Sequence, residues 1–495
     1  MQSKNVDIEL TNSILNRLNS GNFSSEPTAV SAIPKPDDQA IIDCSGSLSY
    51  SISGARAASN LSSIGSPVNP EDFAATSGKD LFFDQSGLRK LGLALSPLLS
   101  YGVLNGGSAS SYADRKKNSE FDSDLFAYYS EIFDSFSDKL RGMPKGLTPA
   151  FIQPDKNAGP TFMELKMRGL LAGGRSAKDL VPDSSRLAPY LPAYQMTSAS
   201  NNDMIARAYE EYRKSPLLSR LNGAGVADVT EVESAMQPLI TAYSKKEGKW
   251  SIFSEAFGKE SSVLPLPGGH GQCFVTLKPV FERLHALGKR FVILGNVDNL
   301  GNMPKPEYLA ILALSGAPAG FEFSYRTPVD VKGGVLVRDE NGRLTCADIG
   351  PAIRQEDVLD AERQGAKILF NCATGLFDLD YLVNNIDDII ASIPLRVSKQ
   401  EKDAGVYYQA EQITWEIISL LDNPMIFGVR KNERFLAAKL FIENLLTSGI
   451  GLEDPDFPAA EELKKTALLI HNGLNDLLKS VYGMRYDSGL WKPDE

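Results

Sequence analysis

Two hydrophobic rhythms alternate along the middle of the chain. Short runs in which apolar residues follow one another almost without a break are "LLSYGVLN" (98–105), "AYQMTSA" (193–199), "FVILGNVD" (291–298), "FEFSYR" (321–326), "GVLVRD" (334–339) and "KILFN" (367–371). They predict strands buried on both faces. The segments "NDMIARAYEEYRK" (202–214), "LKPVFERLHALGK" (277–289) and "FDLDYLVNNIDDIIASI" (377–393) space their apolar residues by three and four, which predicts helices with one buried face. The alternation predicts an α/β domain with a mostly parallel sheet, whose ligands gather at the carboxyl ends of the strands.

Outside this zone the rhythm changes. In the first part, "DIELTNSILNRLNS" (7–20) predicts a short amphipathic helix, and the Ser- and Gly-rich "SGSLSYSISGARAASNLSSIGSPVNP" (45–70) predicts loop. Beyond residue 400, "QAEQITWEIISLLD" (409–422), "RFLAAKLFIENLLTSG" (434–449) and "AEELKKTALLIHNGLNDLLKSVYG" (460–483) all predict helix. The expected organisation is an N-terminal extension over 1–85, a catalytic domain over 86–400 and a mostly helical region over 401–495.

Composition then narrows the function. The 495 residues are 42% hydrophobic and 23% charged, enough for a large core. No apolar run reaches the roughly 18–20 residues of a membrane span, and the N-terminus lacks a signal-peptide layout, so a cytoplasmic, non-membrane protein is expected. A net charge of −11 excludes nucleic acid as the expected partner, because counterion release requires a basic face. Four scattered cysteines and three dispersed histidines argue against a disulfide framework, a zinc site or a His-based metal cluster.

Five stretches can carry chemistry. "SYGVLNGGSASSYADRKKN" (100–118) ends a strand on Asn105-Gly106-Gly107 and continues to Arg115, Lys116 and Lys117, as a phosphate-cradling turn requires; a plain Gly-rich turn with a solvated basic run is the alternative. "LPLPGGHGQCF" (264–274) sets His270 among glycines, including Gly269, that allow close backbone approach to a ligand. In "RFVILGNVDNLGNM" (290–303) the strand breaks at Asp298, which either holds Mg²⁺ shared with a phosphate or caps the turn. "GFEFSYRTPVDVKGGVLVRDENGRLTCADIG" (320–350) predicts strands with a hairpin at Asn341-Gly342, and places Lys332 beside Gly333-Gly334, which is either a ligand contact or a bulge. "ILFNCATGLFDL" and the following "PLRVSKQEKDAGVYYQAEQITWE" add Asn371, Lys399 and Lys402.

Taken in order, these stretches resemble the UDP-glucose pyrophosphorylase and UDP-N-acetylhexosamine pyrophosphorylase family. Its L-N/A-G-G, P-G-H-G, S-N-I-D-N-L-G, D-V-K-G-G, F-N, Q-L-E-preceding lysine and R-F-L-P-V-K motifs are matched by "LNGG" (104–107), "GGHG" (268–271), "GNVDNLGN" (295–302), "DVKGG" (330–334), "FN" (370–371), Lys399 ahead of "YYQAEQ", and "RFLAAK" (434–439). "QMTSA" (195–199) looks like the family's M-T/N-S strand end.

The resemblance implies a Rossmann-like, GT-A-like nucleotidyltransferase fold: a central mixed sheet flanked by helices, an N-terminal extension and a small helical C-terminal region. It implies a uridylyltransferase that makes a UDP-sugar and pyrophosphate from UTP and a sugar 1-phosphate with Mg²⁺. The matching positions would act as follows: Asn105, Gly106, Gly107, Gly269 and Met196 on the nucleotide; His270, Lys399 and Lys117 or Lys116 on the phosphates; Asp298 on the metal; Gly333, Asn371 and Lys332 on the sugar and its anion.

Departures accompany the resemblance. The family's G-x-G-T-R/S-M/L-G-x-x-x-P-K loop reads "GGSASSYADRKKN" here, its base-contacting glutamine falls on Ser234, Gln272 stands where the glucose enzymes have Asp, and "FNCATGLF" lacks the second asparagine. They keep open the alternative of a catalytically weak relative acting as a nucleotide-sugar-binding or scaffold protein. A Rossmann oxidoreductase is set aside, because no GxGxxG follows a strand with an acid about twenty residues later.

Overall fold

The computed structural model describes residues 6–35, 37–182, 186–219, 221, 227–327, 330 and 332–494. Val331 of "DVKGG" lies outside them, as do residues 1–5 of the N-terminal extension. At the centre is an eleven-stranded mixed sheet. Its spatial order is Ile41–Asp43, Met425–Val429, Ala319–Tyr325, Leu369–Asp378, Phe291–Asn296, Leu99–Leu104, Ala193–Ser198, Val232–Gln237. Neighbours run parallel except at Leu369–Asp378, which is antiparallel to both of its flanking strands. The hairpin expected at Asn341-Gly342 branches from this sheet as Gly334–Asp339 and Leu344–Asp348, and Val30–Ala32 pairs with its first strand.

The unbroken apolar runs are explained by burial from both sides. Leu99, Tyr101, Val103, Phe291 and Ile293 face a core made with the helices Gln85–Leu95, Phe162–Ala177 and Pro306–Ser315. Val292 and Leu294, pointing the other way, pack with Cys273–Ala286 and Leu379–Ser392. The period-two alternation of a strand thus divides one apolar run between two cores.

The sheet's membership crosses the expected boundaries at 85/86 and 400/401, since Ile41–Asp43 and Met425–Val429 both lie within it. A satellite sheet of Lys249–Ile252, Tyr243–Lys246, Gly405–Glu411 and Arg396–Lys402 packs its apolar face on the N-terminal helix Ile8–Asn19 through Ile14, Leu18, Trp250 and Val397. A third core joins Tyr112, Ala113 and the helix Ser123–Leu140 to the C-terminal helices Phe441–Thr447 and Glu461–Ser480. Its centre includes Phe441 and Leu445, both 0% exposed. Truncating either to Ala would cost roughly 2–5 kcal/mol. No helix among the described residues is long and apolar enough to cross a membrane.

Three local expectations are corrected. Residues 45–70 are not loop throughout, because Tyr50–Ser53 is a strand and Gly54–Ser63 a helix that buries Ala57 and Leu61. "QAEQITWEIISLLD" is not an α-helix: Gly405–Glu411 is a strand, and Thr414–Leu420 coils as a tight 3₁₀ turn burying Trp415, Ile417 and Ile418. The helix expected from 377 starts at Leu379, since the preceding strand runs on to Asp378, whose side chain caps it by accepting from Tyr381 N.

Candidate active site

The parallel pairing of Phe291–Asn296 with Leu99–Leu104 sets Asn296 beside Leu104, and the next pairing sets Leu104 beside Met196. The turn at 105–107, the turn at 297–303 and the end of Ala193–Ser198 therefore emerge together from the sheet. Val297 N reaches Leu104 O at 3.4 Å, and Asn105 N donates to Met196 O at 2.8 Å.

Within the first turn, Asn105 is a strut. It is fully buried, and its amide donates to Gln195 Oε1 at 3.0 Å, the oxygen that also accepts from Tyr209 OH at 2.7 Å. Gln195 in turn donates to Ser234 Oγ at 2.8 Å. Met196 is equally inward, packed in the second core. What the turn presents outward is backbone: Gly106, its carbonyl held by Asn201 at 2.9 Å, and Gly107, where a Cβ would meet nothing.

Gly107 O accepts from Lys145 N at 3.0 Å, and Ala109 N donates to Met143 O at 2.8 Å, so the segment "MPKG" (143–146) zips onto the glycine turn. The lysine at this place is therefore Lys145. Lys117 sits in the first turn of Arg115–Phe121, exposed, donating to Ser111 Oγ at 2.7 Å. The helices 115–140 are inserted between the glycines and the Pro-Lys pair. That pair, displaced along the sequence, was the available signal for Lys145.

Asp298 is half-buried between two buried cations. Lys145 donates to Ala438 O at 2.6 Å and lies 3.6 Å over the Tyr112 ring. Lys166, fully buried, donates to Asn299 O at 2.7 Å and Asn302 O at 3.1 Å, bracketing the turn that carries Asp298. Burial pulls the Lys145 pKa down to about 8 and that of Lys166 to about 7, and in both the charge of Asp298 opposes the fall.

The rest of the turn is pinned by Tyr101 OH to Asn302 O (2.7 Å), Tyr482 OH to Leu300 O (2.6 Å) and Arg434 to Met303 O (2.9 Å). Arg434 is itself buried and ion-paired with Glu322, while Asn299 Nδ2 donates to its carbonyl at 2.9 Å. Gly301 is required here, because a Cβ would collide with the Arg434 backbone. "RFLAAK" thus acts as the clamp of "VDNLG".

His270 enters from a loop strapped to residues 411–414 by Gly271 N to Gln412 O (2.8 Å) and Gln412 N to Gly268 O (2.9 Å). Gly269 adopts φ 81°, with its α-carbon against the Gln412 backbone, where no side chain fits. Thr414 brackets His270 Nδ1 with its backbone N at 3.1 Å and its Oγ1 at 2.7 Å. The residue is exposed to the cleft, and desolvation by the protein around the ring pushes its pKa down to about 4. At neutral pH it is an uncharged hydrogen-bond donor.

A cleft of about 1340 Å³ opens beside these turns and is lined by His270, Asp298, Lys332, Gly333 and Asn371 among the residues expected from the sequence. Lys431, ion-paired with Asp330, the Arg396–Glu416 pair and the N-terminal residues 24–28 line it as well, and sequence reasoning missed all of them. Lys399 is not in the lining. It is exposed on Arg396–Lys402, paired with Tyr408, one residue beyond Arg396, Val397 and Ser398, which line the cleft.

Among the described residues no group of three or more His, Cys, Asp or Glu comes together as a metal cage. Asp298 fits a looser role. It stands alone at a strand end beside the cleft, and Mg²⁺, which keeps several waters, is commonly held by one or two carboxylates plus substrate phosphates. Asn299 is no ligand, because its side chain is spent on Arg434 O, Gly301 N and Leu436 N.

Comparison with known proteins bears on the family and the fold. Residues 223–448 match the family model described as UTP–glucose-1-phosphate uridylyltransferase. A probable UTP–glucose-1-phosphate uridylyltransferase of Schizosaccharomyces pombe is 33% identical over 85 residues, a stretch covering 17% of this chain and 17% of that protein. Among solved structures, the Trypanosoma brucei uridine diphosphate N-acetylglucosamine pyrophosphorylase superposes with a TM-score of 0.58 at 16% identity, over 93% of this chain and 74% of that one. A putative UDP-N-acetylglucosamine pyrophosphorylase from Entamoeba histolytica gives 0.53 at 16% identity, over 79% and 92%. The UDP-glucose pyrophosphorylase of Leishmania major gives 0.53 at 15% identity, over 90% and 77%. The family resemblance read from the motifs is borne out, and the overall architecture is shared.

Proposed function

We propose that the protein is a UTP:sugar-1-phosphate uridylyltransferase built on a Rossmann-like, GT-A-like sheet. The observation that carries this reading is that the 105–107 turn, onto which the Lys145 segment zips, and Asp298 emerge from adjacent parallel strands, with Asp298 lining a large cleft shared with His270 and Lys332. The matched family segment and the shared fold support it.

In this mechanism an oxygen of the sugar 1-phosphate attacks the α-phosphorus of UTP in line, the new P–O bond forms as the bond to the β-phosphate oxygen breaks, and pyrophosphate leaves with the electron pair. Such chemistry asks the protein for positioning and for compensation of negative charge. The backbone of Gly106 and Gly107 lets the nucleotide lie close, since neither carries a side chain. His270 donates a ring N–H to a phosphate oxygen without adding charge. Lys145 supplies positive charge beside the glycine turn, and Lys332, exposed on the cleft, supplies it to the incoming phosphate. Asp298 would hold Mg²⁺, whose contribution is charge neutralisation on the triphosphate. Lys166 holds the Asp298 turn at both of its carbonyls.

Pyrophosphate release measured with a panel of nucleoside triphosphates and sugar 1-phosphates tests the proposal. Turnover with UTP and at least one hexose 1-phosphate is expected. Ligand uptake without turnover under any pairing would leave a binding or scaffold protein instead.

A further inference from the structure

On the cleft that Asp298 lines stands a second carboxylate with half its bonding capacity unspent. Glu416, 4% exposed, accepts from Arg396 Nε at 2.8 Å and from Arg396 Nη2, both on Oε1. Its other oxygen, Oε2, is buried and has no hydrogen-bond partner among the described residues. Burial raises the pKa of this carboxyl, and Arg396 pulls it back down. An ion pair alone does not account for the arrangement, because a buried charged oxygen left without a donor is strongly disfavoured.

The surroundings say what kind of donor belongs there. Glu416 lines the cleft together with Gly333, Asn371 and Asp348. Asn371 has its side-chain carbonyl occupied by Ala373 N at 2.8 Å, so its NH₂ is what remains to offer. Cys346, in hydrogen-bond contact with Asn371 and within the field of Glu416, lines the cleft with them. An acceptor and a donor on one cleft wall with a glycine pair match a group that both donates and accepts, which is a hydroxyl.

The remaining arms of Arg396 explain how Glu416 is held. Its Nη1 donates to Glu26 O and its Nη2 to Thr28 Oγ1, each at 2.7 Å. The same N-terminal segment is hydrogen-bonded along the strand by Ser24 N to Leu395 O (2.8 Å) and Val397 N to Ser24 O (3.0 Å). One guanidinium therefore fixes both the carboxylate and the N-terminal wall of the cleft.

We propose that Glu416 reads a free ring hydroxyl of the sugar through Oε2, with Arg396 as its positioning residue, so that the substrate is a sugar 1-phosphate unsubstituted at that hydroxyl. This rests on the reading of the cleft as a sugar-phosphate site. Titration calorimetry of the full chain with UDP, UDP-glucose and the UDP-glucose analogues lacking one ring hydroxyl at a time is the test, on the wild type and on Glu416→Gln, which keeps an acceptor for Arg396.

One deoxy analogue is expected to bind the wild type about 10- to 100-fold more weakly than its parent, as for a lost charged hydrogen bond. Glu416→Gln should lose that discrimination while keeping its affinity for UDP, an effect that a merely structural ion pair would not produce. Equal binding of all analogues by the wild type, or the same ranking in both proteins, overturns the assignment of Glu416 alone. Wild type that takes up UDP but gains nothing from any attached sugar overturns the parent reading of the cleft. Should Glu416→Gln not fold, Glu416→Asp, which withdraws the oxygen by one methylene, carries the same expectations.

Discussion

Two regions of the cleft are built on opposite principles. Around Asp298 the backbone of the turn is already committed: Lys166, Tyr101, Tyr482 and Arg434 are buried donors, and the carbonyls of 299, 300, 302 and 303 are their acceptors, although the Asn302 side-chain oxygen is left without a partner among the described residues. Around Gly333 and Asn371 the groups are half-exposed, and Glu416 Oε2 is unspent. A network satisfied within the protein fixes geometry and resists change, whereas groups left open are free to be satisfied by a ligand. The first region suits the part of a reaction common to all substrates, the phosphate chemistry, and the second suits the part that differs between them.

The most damaging way to break this contrast is in the committed region. Asp298→Ala removes the one carboxylate facing two buried lysines, and turnover is expected to fall by roughly 10²- to 10³-fold or more. Pyrophosphate release measures it, with circular dichroism confirming the fold. Full activity in the variant would remove Asp298 from any role on the triphosphate.

A smaller effect separates two lysines that the sequence alone does not distinguish. Lys145→Met is expected to slow turnover by roughly 10- to 100-fold, because its backbone is held on the glycine turn and its ammonium lies in the field of Asp298. Lys117→Met, exposed and bonded only to Ser111 among the described residues, is expected to stay within about twofold. The reverse order of effects would return the phosphate-handling role to the 115–117 run.

Lys166 sharpens the comparison through stability. Folded, its pKa is pulled down to about 7 by burial; unfolded, it returns to 10.5. Between those values the unfolded chain binds the additional proton, so folding stability rises as pH climbs from about 7 toward 10.5, and below about 7 the full cost of burying the charge is present. Lys145 and Lys289, also buried with lowered pKa values, contribute with the same sign. Each group adds at most about 1.4 kcal/mol per pH unit within its window. Urea midpoints should therefore rise from pH 7 to pH 8, below the range where the buried cysteines and tyrosines, whose folded pKa values are raised, act with the opposite sign, and Lys166→Met should flatten the rise by one group's share. A wild-type curve flat across this range would contradict buried lysines at the site.

How much of this was legible in the sequence follows the same division. The strands bearing the turns were legible because burial on both faces writes an uninterrupted apolar run, and "VDNLG" and "DVKGG" carry glycines whose spacing is hard to disguise. Pro306–Ser315 was not, because a helix buried all round has no amphipathic period to read. Gly54–Ser63 was hidden by serines and a glycine typical of loops, although Ala57 and Leu61 keep the spacing of four. Lys145 was displaced by the inserted helices, and Arg396 and Glu416 could not be joined to residues 24–28 without the fold, since that contact links opposite ends of the chain. Sequence patterns report local periodicity, whereas this part of the site is made of long-range contacts.

The mildest expected effect concerns Lys399, which motif order assigned to the phosphates. The cleft lining takes in Arg396, Val397 and Ser398 and stops before Lys399, which shares a strand face with Val397, a member of the satellite core as well. Its ammonium is exposed, and solvent screens it from charges across the strand. For it to reach a phosphate in the cleft, the Arg396–Lys402 strand would have to shift, breaking its pairing with Gly405–Glu411 and the fork of Arg396 on Glu416. Lys399→Ala should accordingly change kcat and the KM for UTP by no more than about twofold. A selective rise in the KM for UTP by tenfold or more would mean that the satellite sheet swings over the nucleotide during turnover, and the open region of the cleft would then be a moving wall.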